Sequence, residues 1–166
     1  MDSRRVLIAG IGNVFLGDDG FGVEVVRRLA GRKLPEGVEV ADFGIRGMDL
    51  AYALQDDYEV VIFVDAIPRG EEPGTVYLLE PEIDEDREVA LDAHGMDPVK
   101  VIQLSRALGA KPARTLVVGC EPQVVINGED YEDMLMELSE PVRGAVEEAV
   151  KLVESLVEEI NKEVKS

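Results

Sequence analysis

Three short stretches of this sequence carry side chains whose types could do chemistry. Asp18 and Asp19 stand side by side in GIGNVFLGDDGFG, residues 10–22. Asp65 closes an apolar run in VIFVDAIPRG. His94, in LDAHGMDP, is the sole histidine. Asp19, Asp65 and His94 together would make an oxygen and nitrogen donor set without thiolates. Such a set suits nickel, zinc, iron or manganese and leaves coordination positions open. Three ligands drawn from three loops would hold a metal only moderately, as expected if the metal arrives with its substrate. The ordinary alternatives are plain. Asp65 could cap the next turn, and a lone histidine is more often structural. Two features favour a site: an acid that ends a strongly apolar strand is poorly placed as core, and a second acid comes from a neighbouring loop. His94 sits between glycine and acidic residues just before a helix, which disfavours core burial.

Other chemistries fit less well. The Gly10-Ile11-Gly12 turn lacks the third glycine of a dinucleotide loop, because Phe15 stands there, and adjacent aspartates oppose a pyrophosphate. No G-x-S-x-G elbow is present, and the five serines lie near termini, in helices or at their caps. No H-E-x-x-H pair occurs. A Cys120–His94 pair is conceivable, but Cys120 reads better as a small packed residue.

These residues must be positioned by strands and helices, and the hydrophobic pattern supplies them. Residues 5–9 read as a buried strand that ends in glycines. A helix follows with Val23, Val26, Leu29 and Ala30 at helical spacing, closed by Gly31 and Pro35. VEVADFG alternates as a second strand, and Gly44, Ile45, Arg46 and Gly47 form the loop after it. A short helix then carries Leu50, Ala53 and Leu54 on one face. YEVVIFVDAI is apolar throughout, as a central parallel strand should be. GTVYLLEP is the fourth strand. Only about seven residues separate it from the third, whereas a parallel crossover needs about a dozen or more, so it should run antiparallel. Pro98 opens a third helix with Asp97 as its cap. ARTLVVGCEP is the fifth strand, and residues 139–164 form one long amphipathic helix. The acidic stretches at residues 80–88 and 127–139 read as loops. The order β-α-β-α-β-β-α-β-α implies a three-layer α/β sandwich with a mostly parallel sheet. Ligands of such sheets bind beyond the carboxyl ends of the strands, where the winding reverses. The loop after strand two should line that cleft and touch substrate backbone.

The chain has 166 residues, consistent with a single domain spanning 1–166, and 46% of them are hydrophobic, enough for a packed core. The formal charge of −18 opposes nucleic acid and anionic lipid. No apolar run is long enough to span a membrane. One cysteine excludes an internal disulfide. The N-terminal apolar stretch runs into a glycine turn rather than a cleavage site, so the cytoplasm and a monomer are the expectations.

GIGNVFLGDDGFG, DFGIRGMDLAYAL, VDAIPRGEEPGTVY, LDAHGMDPV and VVGCEP occur in this order. Together they resemble the hydrogenase maturation proteases, and the likeness runs from Val6 to the last helix. The resemblance implies a five-stranded mixed sheet in the order 2-1-3-5-4 with strand four antiparallel, as in phosphorylase/hydrolase-like folds. It implies an endopeptidase that recognises nickel in a NiFe-hydrogenase large-subunit precursor and removes its C-terminal extension. It also implies Asp19, Asp65 and His94 as the nickel-contacting residues. Many members have glutamate where Asp19 stands, so this carboxylate sits about one C–C bond, ~1.5 Å, further back. A tighter turn, or help from Asp18, would compensate. A nickel-binding chaperone that does not cleave would need the same ligands, and a nucleoside- or peptide-hydrolysing enzyme could share the topology.

Overall fold

A computed structural model describes residues 5–13, 17–81, 98–123 and 137–165, with side chains to residue 162. The strands are β1 (Val6–Ile11), β2 (Val38–Gly44), β3 (Val60–Ala66), β4 (Val76–Leu79) and β5 (Arg114–Cys120). The helices are α1 (Phe21–Ala30), α2 (Gly47–Ala53), α3 (Pro98–Ala107) and α4 (Glu140–Lys165). A short 3-10 turn, Gly17–Gly20, leads into α1. His94, the Asp97 cap and most of the two acidic stretches lie outside the described residues.

The strands form one sheet in the order β2-β1-β3-β5-β4. β1, β2, β3 and β5 are parallel, and β4 alone runs antiparallel, with Val76 opposite Cys120 and Leu79 opposite Val117. The short link from β3 leaves no room for a crossover helix, which accounts for that reversal. β4 is a four-residue edge strand, and a short edge offers little backbone for unwanted pairing.

Side chains alternate between two cores, as the pleat requires. Val6 and Ile8 of β1, and Val60, Ile62 and Val64 of β3, pack with α1 and α4. Leu7, Ala9 and Ile11, with Val61 and Phe63, pack with α2 and α3. Both sheet faces are thus covered, which explains why β1, β3 and β5 read as continuous apolar runs.

β1 extends two residues past the expected end, because Gly10 pairs with both Asp42 and Val64 and Ile11 pairs with Gly44. Glycine here does not stop the strand; it admits α1. A Cβ on Gly10 would lie 2.5 Å from the Gly22 carbonyl oxygen, and one on Gly22 would lie 2.0 Å from that of Val64. Neither contact is tolerable, so these two glycines let the helix rest on the sheet. The buried face of α1 is Phe21, Val23, Val25, Val26 and Leu29. Ala30, expected inside, is exposed. In α4 the expected stripe is buried from Val142 to Ile160.

Candidate functional site

β1 and β3 lie side by side, and the chain winds outward from them in both directions. Their carboxyl ends therefore bring two loops to one place. Gly12 leaves β1 with φ of +131°, and a Cβ there would stand 1.9 Å from the Asp19 carbonyl oxygen. Only glycine lets the Asp18–Asp19 turn fold back this closely over the strand end.

Asp19 is half-buried, and its Oδ2 accepts a hydrogen bond from the Asn13 amide at 2.8 Å. Burial pushes its carboxyl pKa up, and the Asn13 N–H opposes that in part. Asp65 follows Phe63 on the α2/α3 side of the sheet by alternation and is 7% exposed. It pairs in register with Gly119 of β5. Tyr77 from β4 fills the space a Gly119 side chain would need, 2.5 Å from the ideal Cβ. Its hydroxyl donates to the Ile67 carbonyl just beyond Asp65.

Asp18 has hydrogen-bond partners of its own. Its buried carboxylate accepts hydrogen bonds from the Gln123 amide at 2.8 Å, the Ser139 amide at 2.6 Å and the Ser139 hydroxyl at 2.9 Å. Ser139 immediately precedes α4, whose N-terminal dipole favours a nearby anion. One aspartate of the pair thus ties the turn to the β5 exit and the start of α4, and its neighbour accepts from the Asn13 amide just past β1.

His94 lies outside the described residues. The start of α3, four residues later, can be placed. Ile102, Ser105 and Arg106 of α3 line a small recess with Leu54, Tyr58 and Val61, at the amino ends of the strands. α3 then leads directly into β5, so Pro98 lies toward the carboxyl ends, where Asp19 and Asp65 are. Among the described residues no three His, Cys, Asp or Glu side chains converge as a metal-binding group.

The loop after β2 reaches the same end. The Gly12 amide donates to the Gly44 carbonyl at 2.9 Å, which binds this loop to the Asp19 loop. Gly44 has φ of +54°, and the Ile45 side chain is 63% exposed. Met48 and Tyr52 continue its exposed apolar stripe along α2. Arg46 is committed to its own chain, donating from Nε to the Phe43 carbonyl at 3.2 Å and facing Asp49 at 3.7 Å.

Cys120 is fully buried in the α1/α4 core, and burial, aided by Asp18, Glu148 and Glu121, pushes its thiol up to about 12. A thiol so protonated is no nucleophile at neutral pH. Sequence reasoning passed over Glu121. It is 4% exposed and accepts from the Arg69 amide at 2.7 Å and the Glu71 amide at 2.7 Å. The signal was present: Glu121, like Asp65, is an acid that closes an apolar strand.

Comparison with known proteins gives one consistent picture. A family model described as hydrogenase maturation protease matches residues 23–156. A Methanocaldococcus jannaschii protein named as a hydrogenase maturation protease is 35% identical over 157 residues, covering 92% of this chain and 96% of that one. The hydrogenase maturating endopeptidase HybD from Escherichia coli superposes with a TM-score of 0.75 at 28% identity, covering 93% of each chain. A hydrogenase 2 maturation peptidase from a Thaumarchaeota archaeon gives 0.67 at 33% identity, covering 90% of this chain and 96% of that one.

Proposed function

The chain belongs to the hydrogenase maturation protease family, and on that premise we propose that it cleaves the C-terminal extension from a NiFe-hydrogenase large-subunit precursor, with the precursor's own nickel as its recognition handle. The observation that supports this reading is that β1 and β3 are adjacent parallel strands, with the turn that carries Asp19 following β1 and Asp65 near the carboxyl end of β3. Nickel is cargo of the substrate here rather than a resident cofactor.

In this proposal Asp19, Asp65 and His94 contact the incoming nickel, which registers the precursor tail against the cleft. Carboxylates and an imidazole suit such a divalent ion. With the tail held, a carboxylate takes the proton of the attacking water as general base and returns it to the amine nitrogen as the scissile C–N bond breaks. Gly44, Ile45, Arg46 and Gly47 form the wall that receives the tail. The exposed Ile45 supports apolar contact there, and Gly44 and Gly47 let substrate backbone come close. Among the described residues no helix is long and apolar enough to cross a membrane, and we assign the reaction to the cytoplasm, with the enzyme acting as a monomer in a transient complex.

The test mixes the protein with nickel-loaded and nickel-free precursor and follows intact masses. Only the nickel-loaded precursor should lose a C-terminal peptide. Asp65→Ala and His94→Ala should slow that loss by about 100-fold or more, the usual scale for a general acid–base group. Transfer of nickel without peptide loss would instead identify a non-proteolytic chaperone. Full activity in either variant would remove that residue from the site.

A further inference from the structure

Residues 121–123, Glu-Pro-Gln, hold together the turn that carries Asp19 and the link that follows Asp65. On one side, the Asp18 carboxylate accepts from the Gln123 amide at 2.8 Å. On the other, Glu121 organises nearly the whole link between β3 and β4. Its Oε1 accepts from the Arg69 and Glu71 amides, each at 2.7 Å, and its Oε2 accepts from Arg69 at 3.1 Å. Its backbone amide donates to the Thr75 carbonyl at 2.9 Å, and its carbonyl accepts from the Gly74 amide at 2.8 Å. Upstream, the Ile67 amide donates to the Cys120 carbonyl at 3.0 Å, two residues after Asp65. Pro122 stiffens the middle, because its ring fixes φ and biases the preceding residue toward extended backbone.

Charge-assisted bonds to buried carboxylates are stronger than neutral ones. Both ends of this segment are tied by such bonds: Asp18 is adjacent to Asp19, and the Arg69 amide held by Glu121 lies four residues after Asp65, with the neutral Ile67–Cys120 backbone bond between them. We propose that Asp18 and Glu121 are positioning residues, and that residues 121–123 form a bracket setting the separation of the Asp19 and Asp65 carboxylates. The functional part of this proposal rests on the protease reading above. The bracket itself rests only on the hydrogen bonds.

Reach and charge can be separated at Glu121. Glu121→Gln keeps the length, and its single carbonyl oxygen can still accept from both amides, as Oε1 does, with only the longer 3.1 Å bond to Oε2 lost. Glu121→Asp keeps the charge and withdraws the carboxylate by about one C–C bond, ~1.5 Å. A misplacement of about 1 Å at a reacting centre can cost ~100-fold in rate. For nickel-loaded precursor, Glu121→Asp should therefore lose roughly 10- to 100-fold in kcat with little change in precursor affinity, and Glu121→Gln should retain most of the wild-type rate. In amide NMR spectra, Glu121→Asp should shift the Asn13 signal, which reports the bond to Asp19, as well as Arg69 and Glu71. Glu121→Gln should leave Asn13 in place. An Asn13 signal that ignores Glu121→Asp, or a kcat for Glu121→Asp equal to that of Glu121→Gln, would overturn the bracket. A wild-type protein that cleaves no precursor would overturn the protease reading instead, and the NMR comparison would still decide the bracket.

Discussion

At Asp19 burial and a single amide act in opposite directions on one carboxylate. Burial is the larger effect, so the folded pKa lies above the unfolded value near 3.9. The sign follows from linkage. A raised carboxyl contributes stability below the unfolded pKa, and that contribution is lost as pH rises through the folded one. At neutral pH the ionised Asp19 therefore weakens the fold of the free protein. Asp19→Asn removes the charge and keeps an oxygen to accept from Asn13. The variant should melt higher than wild type at pH 7, and the gap should close toward pH 4; a lower melting point at pH 7 would refute it. Activity should fall in the same variant, the usual opposition between a functional acid and the fold that carries it. Asp18 shows the contrasting case, a buried acid supplied with three donors.

Among the elements, α1 is the one that brings the Asp19 turn down onto the strand ends, and its glycine contact with β1 and β3 sets how low it can sit. Gly22→Ala would push a methyl to 2.0 Å from the Val64 carbonyl oxygen and 2.6 Å from that of Ile11. Overpacking of this kind costs about 1–3 kcal/mol, and backbone atoms cannot rotate away, so the upper end is expected. Gly144 in α4 is the control, since a Cβ there meets nothing within 4 Å. Gly144→Ala should stabilise by about 0.5–1 kcal/mol. Urea unfolding of both variants checks the pair, and equal midpoints would show that the close helix contact does not limit stability. Arg32, just after α1, adds ion pairs to α4 within one helix layer, reaching Glu147 at 2.7 Å and Glu154 at 3.5 Å. These side chains are exposed, so the bridge adds little.

For the whole molecule, the formal charge of −18 matters more than any one pair. Like charges at that density repel in the compact state, and salt screens them over about 8–10 Å at physiological strength. The melting temperature should rise between about 10 mM and 150 mM sodium chloride, the range over which the Debye length shortens most usefully. A fall over that range would mean that surface ion pairs, not repulsion, dominate. The same field disfavours polyanions, so the partner surface that meets the cleft should be neutral or basic.

Much of this protein could be read along the chain. The apolar runs of β1, β3 and β5, the helical spacing of α1 and α4, and the short β3–β4 link imply a mostly parallel sheet with one reversed strand. All of these are near-neighbour patterns, which is why sequence order suffices to express them. The same holds for Asp19 and Asp65 as candidates, since an acid that closes an apolar strand, and a pair of acids in the glycine turn after another, are both visible locally. What Asp18 and Glu121 do was not visible. Their partners lie 105 and 121 residues away for Asp18, and 52 and 50 for Glu121. Nothing in the composition of GDDG shows which aspartate turns to α4 and which remains near the strand ends. That division is made by packing: the β5 exit and the α4 start present amide donors on one side of the turn only, and a buried carboxylate must go where donors are.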